Sequence, residues 1–246
     1  MDFAKYIDQV FVNILYKRLE VQLNMLEEII SKLKTKVYKF FENDSTGHDF
    51  YHLQRTMNIA LHINEYEGGD RVVIGVAAFV HDVHRILFKN NNKYCTPKES
   101  LKTVLELIND LDLSKGQIEH ILHCVEFHEE YDFSDKGKTA NDIETLILQD
   151  ADNLDAIGAI GIARTFTFGA SHNRDMYNPD VPFDREIYNE EEDINVDPST
   201  IHHFHSKLLK LNNNMNTKTG KMMALKRHDF MKLYFDTFLD EWKGNS

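Results

Sequence analysis

Apolar residues recur through most of the chain at steps of three and four, the spacing that aligns side chains on one face of an α-helix. The pattern predicts helices at about residues 49–67, 70–88, 97–110, 115–130, 141–150 continuing into 151–169, 201–211 and 217–242. The chain has four prolines, and three of them lie within residues 179–198, so the interiors of the predicted helices lack the residue that breaks helices. We therefore predict an all-α fold.

Several of these helices begin at residues that favour helix starts. Asp70 follows two glycines and suits an N-cap. Pro97 stands in the first turn of its helix, where its missing N–H costs nothing. Ser114 and Gln117 have the spacing of a capping box. These signals mark three helix starts independently of the apolar pattern.

Two segments stand apart from the regular pattern. The apolar stripe of residues 3–41 blurs near residues 17–22, which leaves open one bent helix or two. We expect this segment to pack on the domain or on a second copy of the chain, as in a homodimer. Residues 170–200 are predicted to be mostly irregular, with a lid or substrate-contacting role as one interpretation. The acidic residues at 184–197 favour an outer loop instead, because they repel polyphosphate.

The composition narrows the class of protein. The 246 residues carry a formal net charge of −12, which repels nucleic acids and anionic membrane surfaces. We find no secretion signal and no apolar stretch long enough to span a membrane. We therefore expect neither nucleic acid nor a membrane as a partner. The cysteines, Cys95 and Cys124, form no CxxC pair, and we expect reduced thiols in a cytoplasmic protein.

His81 and Asp82 lie at the end of an unusually apolar segment, residues 72–80. A helix that is apolar on all sides is buried, and a buried carboxylate is costly unless it is paired or binds a metal. An imidazole beside a carboxylate suits manganese, iron, cobalt, nickel or zinc. The pair is therefore a candidate for metal binding.

Two further segments carry candidate ligands. His52 lies at the start of a predicted helix, and His48, four residues earlier, shares its helix face. Residues 146–158 are largely apolar but contain three aspartates: Asp150, Asp152 and Asp155. Each signal taken alone fits an ordinary core residue. Their order along the chain is the more specific observation.

That order, His then His-Asp then Asp, resembles the HD-domain superfamily of metal-dependent phosphohydrolases. The chain is also similar to a small bacterial subgroup of the YedJ and YpgQ type. The stretches that carry this likeness are His52-x-x-Arg55 and residues 77–83, 150–159, 203–209 and 216–220. The resemblance covers about residues 28–246 and leaves residues 1–27 as an N-terminal helical extension.

The resemblance implies a compact helical bundle with a divalent metal ion at its centre. The implied ion is manganese, cobalt, nickel, iron or magnesium ahead of zinc. The implied ligands are His52, His81, Asp82 and Asp152. Asp152 is preferred to Asp150 and Asp155 because it occupies the aspartate of the family pattern Ala-Asp-x-Leu.

Phosphohydrolase chemistry needs cations that neutralise phosphate oxygens in the transition state. The candidate substrate-binding residues are Arg55, Arg85, Arg164, Lys207 and His128. For Arg55 a salt bridge to a buried acid is an equal alternative. Arg164 lies in an apolar context that requires a partner, and Asp155 is the obvious one despite its spacing along the chain.

Other polar residues are assigned roles around the ligands. We expect catalytic roles for Asp82, Arg55 and His128, with a second-metal ligand or an ordinary helix-end histidine as alternatives for His128. His48, Asp49 and Asp155 are expected to support the ligands, because a ligating imidazole usually donates its other N–H. His84 departs from the family, which often has a small residue there, and we expect a helix-surface side chain.

The resemblance implies that the substrate is a nucleoside or deoxynucleoside triphosphate, cut to the monophosphate and pyrophosphate. A phosphomonoesterase or a cyclic-nucleotide phosphodiesterase would use the same site. A non-catalytic sensor that binds metal and nucleotide is an alternative of another class. A structural zinc site is disfavoured because such sites are usually closed and rich in cysteine.

Overall fold

The structure, a computed structural model, describes residues 24–44, 46–91, 95–130, 140–183 and 197–245. Over these residues it contains helices and no strand, which confirms the all-α prediction. The helices are α1 over residues 24–41, α2 (Phe50–Glu67), α3 (Arg71–Val80), α4 (Val83–Asn91), α5 (Pro97–Ile108), α6 (Lys115–Phe127), α7 (Ile143–Asp155), α8 (Gly158–Ser171), α9 (Thr200–Ser206) and α10 (Lys218–Trp242). A short 3-10 helix, Leu208–Asn214, follows α9.

The predicted helix starts are confirmed. Asp70 caps α3, and its carboxylate accepts the first backbone N–H groups of that helix. Ser114 and Gln117 form the reciprocal hydrogen bonds of a capping box on α6. Pro97 begins α5 behind a second capping box, made by Thr96 and Glu99.

Three predicted helices are interrupted, and each break was missed. The segment 70–88 is two helices, because a tighter turn at residues 81–82 separates α3 from α4 and bonds Arg85 N–H to the Asp82 carbonyl. The segment 141–169 divides before Gly158, whose φ of +78° disfavours residues with a side chain. The segment 201–211 changes to a 3-10 helix after Ser206.

The core forms around α3, which packs against α2, α6 and α7. All nine residues from Val72 to Val80 are buried, as their apolar composition predicts. Helix α1 lies on the same core: a Cβ added to Gly75 would stand 2.8 Å from the Cδ atoms of Leu26, so a larger residue there would require the Leu26 side chain to move. Over residues 24–41, the apolar stripe therefore packs on the domain.

Some predictions fall outside the described residues. They include most of the proposed extension at residues 1–27 and nearly all of the acidic segment at 184–197. Residues 172–183 are without regular helix, in agreement with the pattern. Among the described helices, none is both long enough and apolar enough to cross a bilayer.

Candidate metal centre

Helix ends bring the four proposed ligands to one place. His52 lies in the first turn of α2, His81 caps the C-terminus of α3 and Asp82 follows it. Asp152 lies near the C-terminal end of α7. Because α3 is surrounded by α2 and α7, its buried C-terminus delivers the His-Asp pair directly to the side chains from the other two helices.

The ligand atoms face a common point. His52 Nε2 lies 3.2 Å from His81 Nε2 and 3.2 Å from Asp82 Oδ2. Asp152 Oδ1 lies 3.4 Å from His52 Nε2 and 3.7 Å from His81 Nε2. Ligand atoms around one ion with bonds of about 2.0–2.2 Å stand roughly 3 Å apart, so these separations fit a shared ion.

The outer nitrogens of both imidazoles are already engaged with acceptors. His52 Nδ1 donates to Asp155 Oδ2 at 2.8 Å, and His81 Nδ1 donates to the Ala78 carbonyl at 2.9 Å. In the neutral tautomer that these bonds select, both Nε2 atoms carry lone pairs. Asp82 Oδ2 is also buried without a hydrogen-bond partner. Lone pairs and carboxylate oxygens gathered in this way repel one another unless a cation lies between them.

The carboxylates of the centre are held in the ionised form that metal binding requires. Burial alone raises the pKa of Asp82, but Arg85 and His81 outweigh it and leave that pKa well below its usual range. Burial acts on Asp152 in the same way, and the contacts with His81 and His52 lower the pKa of that carboxyl further than burial raises it. The arrangement therefore brings two imidazoles and two ionised carboxylates together, a set suited to a divalent transition-metal ion.

Asp155 organises the side of the centre behind His52. Besides the imidazole, it binds Arg55 through Nε at 2.8 Å and Nη2 at 3.0 Å, and Arg164 through Nη1 at 2.9 Å. Arg164 reaches it because α8 follows α7 after two intervening residues and packs against that helix. Both arginines thus pair with a buried acid, although the Arg55 side chain keeps about one third of its exposure.

Asp49 and His48 lie beside His52 in different ways. Asp49 caps α2, and its carboxylate accepts the backbone N–H of His52 at 2.8 Å. Its predicted bond to the His52 ring is wrong, because Asp155 occupies the ring nitrogen. The His48 ring packs edge-on against His52 at 5.6 Å between centroids. Burial, and then the charges of Arg85 and Arg164, hold the pKa of His48 well below its usual range.

Asp150, the competing aspartate, lies in a different environment. Its carboxylate accepts the backbone and side-chain N–H groups of Asn216 at 2.7 and 3.0 Å. It also accepts the backbone N–H and the hydroxyl of Thr217 at 2.8 and 2.7 Å. Asp150 therefore fixes the start of α10, whereas Asp152 faces the histidines.

A second buried cluster continues from Asp82 on the side away from His52. Arg85 Nε donates to Asp82 Oδ1 at 2.9 Å, and the Arg85 guanidinium also pairs with Glu129. His84 Nε2 lies 3.3 Å from Glu129, and His128 Nε2 lies 3.9 Å from both carboxylates. His128 Nε2 is buried without a hydrogen-bond partner, so it too presents a polar atom that the protein leaves unsatisfied.

The expectation that His84 is a surface residue is wrong. Its relative exposure is 4%, because the turn between α3 and α4 directs the first turn of α4 inward. Sequence reasoning also did not single out Glu129, the acid that joins Arg85 to both histidines. The sequence does not distinguish Glu129 from Glu130, the adjacent residue, because both are glutamates at the end of the same predicted helix.

Lys207, the remaining predicted phosphate ligand, lies at the junction between α9 and the 3-10 helix. Its backbone N–H donates to the His203 carbonyl at 3.2 Å. A role for its side chain at the centre stays a prediction.

Comparisons with known proteins identify the family of the chain. A family model described as HD domain matches residues 49–157, which span all four proposed ligands. The protein YpgQ of Bacillus subtilis is 31% identical over 203 residues, covering 81% of this chain and 87% of YpgQ. The crystal structure of an HD-superfamily hydrolase from Bacillus thuringiensis has 34% identity and a TM-score of 0.65, covering 89% of this chain and 98% of that chain. The crystal structure of YpgQ in complex with ADP has 29% identity and a TM-score of 0.61, covering 86% and 96%.

Proposed function

The chain belongs to the HD-domain family of metal-dependent phosphohydrolases, and from that premise we propose that it hydrolyses nucleoside or deoxynucleoside triphosphates to the monophosphate and pyrophosphate. The observation that carries the proposal is the convergence of His52, His81, Asp82 and Asp152, in which His52 Nε2 lies 3.2–3.4 Å from a ligand atom of each of the other three. A structural zinc site would be built differently, with a closed shell rich in cysteine.

The nucleotide part of the proposal rests on a relative. The structure of YpgQ contains ADP, a nucleotide with the diphosphate group that a triphosphate substrate also carries. The cluster next to Asp82 suits such an anion, because Arg85 keeps about one third of its side chain exposed beside the centre.

The roles of the side chains follow from their contacts. A divalent ion bound by the four ligands supplies Lewis acidity toward a phosphoryl oxygen and lowers the pKa of water. Asp155 fixes the His52 ring so that Nε2 faces the centre, and it orients Arg55 beside the same ring. Arg85, held by Asp82, is the cation placed to neutralise phosphate oxygens.

His128 is the group in the second cluster that best suits proton donation to a phosphate oxygen. Burial alone lowers its pKa, but Asp82 and Glu129 outweigh burial and raise that pKa above its usual value. A protonated His128 would donate through Nε2, since Nδ1 is bonded to the Val125 carbonyl at 2.7 Å. We assign His128 this role together with Arg85 rather than Arg164, whose side chain is 12% exposed.

The test is a product analysis of the metal-stripped protein. It would be incubated with ribo- and deoxyribonucleoside triphosphates, monophosphates and cyclic nucleotides in the presence of Mn²⁺, Co²⁺, Ni²⁺, Mg²⁺ or Zn²⁺. Chromatography would separate monophosphate, pyrophosphate and inorganic phosphate. His81→Ala removes a proposed ligand, and His62→Ala, an exposed histidine paired with Glu65 on α2, is the matched control.

We expect metal-dependent release of monophosphate with pyrophosphate by the parent and by His62→Ala, and loss of both products in His81→Ala. Inorganic phosphate released from monophosphates, or opening of cyclic nucleotides alone, would overturn the pyrophosphohydrolase proposal in favour of another hydrolase on the same site. Bound metal without turnover of any nucleotide would overturn it in favour of a sensor or another phosphorylated substrate.

A further inference from the structure

A second group of metal-ligating side chains lies where α6 passes the start of α7. His120 and His123 stand three residues apart on one face of α6. Their Nε2 atoms lie 3.0 Å from the two different oxygens of Asp142, the N-cap residue of α7. Glu144, in the first turn of α7, brings Oε2 to 3.6 Å from His120 Nε2.

We propose that His120, His123, Asp142 and Glu144 form a second cation site, which takes Zn²⁺ or a similar divalent transition-metal ion. Two imidazoles and two carboxylates form a ligand set of the kind that such ions prefer. With metal–ligand bonds of about 2.0–2.1 Å, the ligand atoms of a tetrahedral site stand roughly 3.3 Å apart. Three contacts within the set are 3.0, 3.0 and 3.6 Å long, but the two imidazoles approach different oxygens of Asp142 and their ring centroids are 6.2 Å apart. Binding of one ion by all four residues therefore requires the two imidazoles to turn toward a common point.

The state of the side chains favours entry of an ion. The imidazoles keep 32% and 41% of their side-chain exposure, so a hydrated ion can reach them from solvent. Without an ion, each donates its Nε2 hydrogen to Asp142; a neutral imidazole can instead carry that proton on Nδ1 and offer Nε2 as a ligand. Burial raises the pKa of Asp142, but bonds from His120 and Thr145 lower it to about 2, so the carboxylate is ionised at neutral pH.

Cys124 Sγ lies within 4.8 Å of ligand atoms of His120 and Asp142, on the buried side of the cluster. Burial raises the pKa of its thiol to about 12, so an ion must displace a proton before the sulfur can bind it. Glu144 is the better fourth ligand, because it is ionisable and its other oxygen, Oε1, already accepts the Asp70 N–H at 2.8 Å.

The site is separate from the centre at His52 and His81. Asp142 precedes Asp152 by ten residues on α7, a distance of about 15 Å along the helix axis. Through Glu144 and Asp70, the cluster joins the N-terminal ends of α7 and α3, while the centre lies at the C-terminal ends of the same helices. An ion here would tie α3, α6 and α7 together and stabilise the fold without contacting substrate.

The experiment uses the full chain with His81→Ala and Asp82→Ala, which remove two ligands of the central site and the aspartate that it shares with the cluster of His84, His128 and Glu129. Equilibrium dialysis against Zn²⁺ measures the number of bound ions, and Co²⁺ in its place reports coordination by visible absorption. We expect this background to keep one bound equivalent and to gain thermal stability when the ion is added. When His120→Ala and His123→Ala are added to this background, we expect the bound equivalent of Zn²⁺, the visible absorption of Co²⁺ and the gain in melting temperature to be lost.

Two controls separate this result from misfolding and from the proposed function. His62→Ala in the same background removes an exposed histidine from α2 and should leave the bound equivalent in place. The pair His120→Ala and His123→Ala in the parent chain should keep metal-dependent turnover, which tests the peripheral site apart from the centre. Unchanged Zn²⁺ binding after loss of both histidines, or no binding in the disabled background, would overturn the proposal and leave a set of hydrogen bonds around a helix cap.

Discussion

Asp150 and Asp152 are two residues apart on one helix, and the protein treats them in opposite ways. Asp150 accepts hydrogen bonds from backbone and side-chain groups of Asn216 and Thr217. Asp152 instead faces His52 and His81, with Oδ1 at 3.4 and 3.7 Å from their Nε2 atoms. The first carboxylate is satisfied by backbone and side-chain donors of one loop, whereas the second lies among the other proposed metal ligands.

The two aspartates show that a charged side chain can be placed inside a protein either to hold its structure together or to bind an ion. A buried carboxylate surrounded by donors contributes to stability, since removing it leaves those donors without partners. A carboxylate placed among metal ligands makes fewer and longer contacts within the protein, and its main contribution comes when a cation binds. Mutating one residue in each environment should therefore affect different properties of the protein.

The largest expected effect is on turnover in Asp152→Ala. Loss of one of four proposed ligands should lower metal-dependent hydrolysis by about a thousandfold, roughly 4 kcal/mol of activation free energy. The metal-free variant should lose less free energy of unfolding than Asp150→Ala, because Asp152 Oδ1 lies 3.4 and 3.7 Å from the two imidazoles, whereas Asp150 accepts four shorter hydrogen bonds. Denaturant unfolding and steady-state rates check both parts, and a large loss of stability with normal specific turnover would contradict the assignment.

Asp150→Ala should show the reverse pattern. Removing the acceptor leaves buried N–H and hydroxyl groups of residues 216–217 unsatisfied, so the free energy of unfolding should fall by about 3 kcal/mol. Turnover per folded molecule should stay close to that of the parent. If Asp150→Ala abolished turnover in protein that is still folded, Asp150 would have to be reconsidered as the fourth ligand.

Asp155→Asn sharpens the comparison because Asp155 contacts the proposed ligand His52 and is not itself a proposed ligand. The change weakens the acceptor that orients His52 Nδ1, so metal affinity should fall by about 10–100-fold. Asp49→Ala is the matched control, because Asp49 bonds only the backbone N–H of the same histidine among the contacts described. It should cost about 1 kcal/mol of stability with metal affinity retained. Calorimetric metal titrations distinguish the two, and equal losses of affinity would contradict a positioning role for Asp155.

The smallest effect is expected at the glycine that lies against Asp150. A Cβ at Gly220 would stand 2.3 Å from Asp150 Oδ2, so Gly220→Ala should cost about 1–2 kcal/mol of unfolding free energy. Gly116→Ala, in the first turn of α6 with nothing within 4 Å of the added Cβ, should be neutral or slightly stabilising. Thermal unfolding of the two variants measures the difference, and similar melting temperatures would show that the contact is not tight.

Much of the fold could be predicted because its signals are local. The caps at Asp70, Thr96 and Ser114 act over three or four residues, and the sequence displays them directly. The breaks at residues 81–82 and before Gly158 were missed because apolar periodicity continues across them. Only packing against other helices makes a turn more favourable than another helical hydrogen bond at those points.

The site could be predicted only as a set of residue types. Residues two apart on a helix point about 200° away from each other, so periodicity shows that Asp150 and Asp152 cannot both face one centre. It does not show which of them does, and the resemblance to the HD family made that choice. The pairings of Arg55 and Arg164 with Asp155 depend on the relative placement of α2, α7 and α8, which no local signal encodes.

The most direct test of the central claim is an anomalous diffraction map from crystals of the parent and of Asp152→Ala grown with Mn²⁺. The account predicts a peak about 2.0–2.2 Å from Nε2 of His52 and His81 and from oxygens of Asp82 and Asp152. That peak should be absent or strongly reduced in Asp152→Ala. A parent protein that turns over nucleotide with Mn²⁺ bound elsewhere, and with no density between these four side chains, would contradict the assignment of the centre.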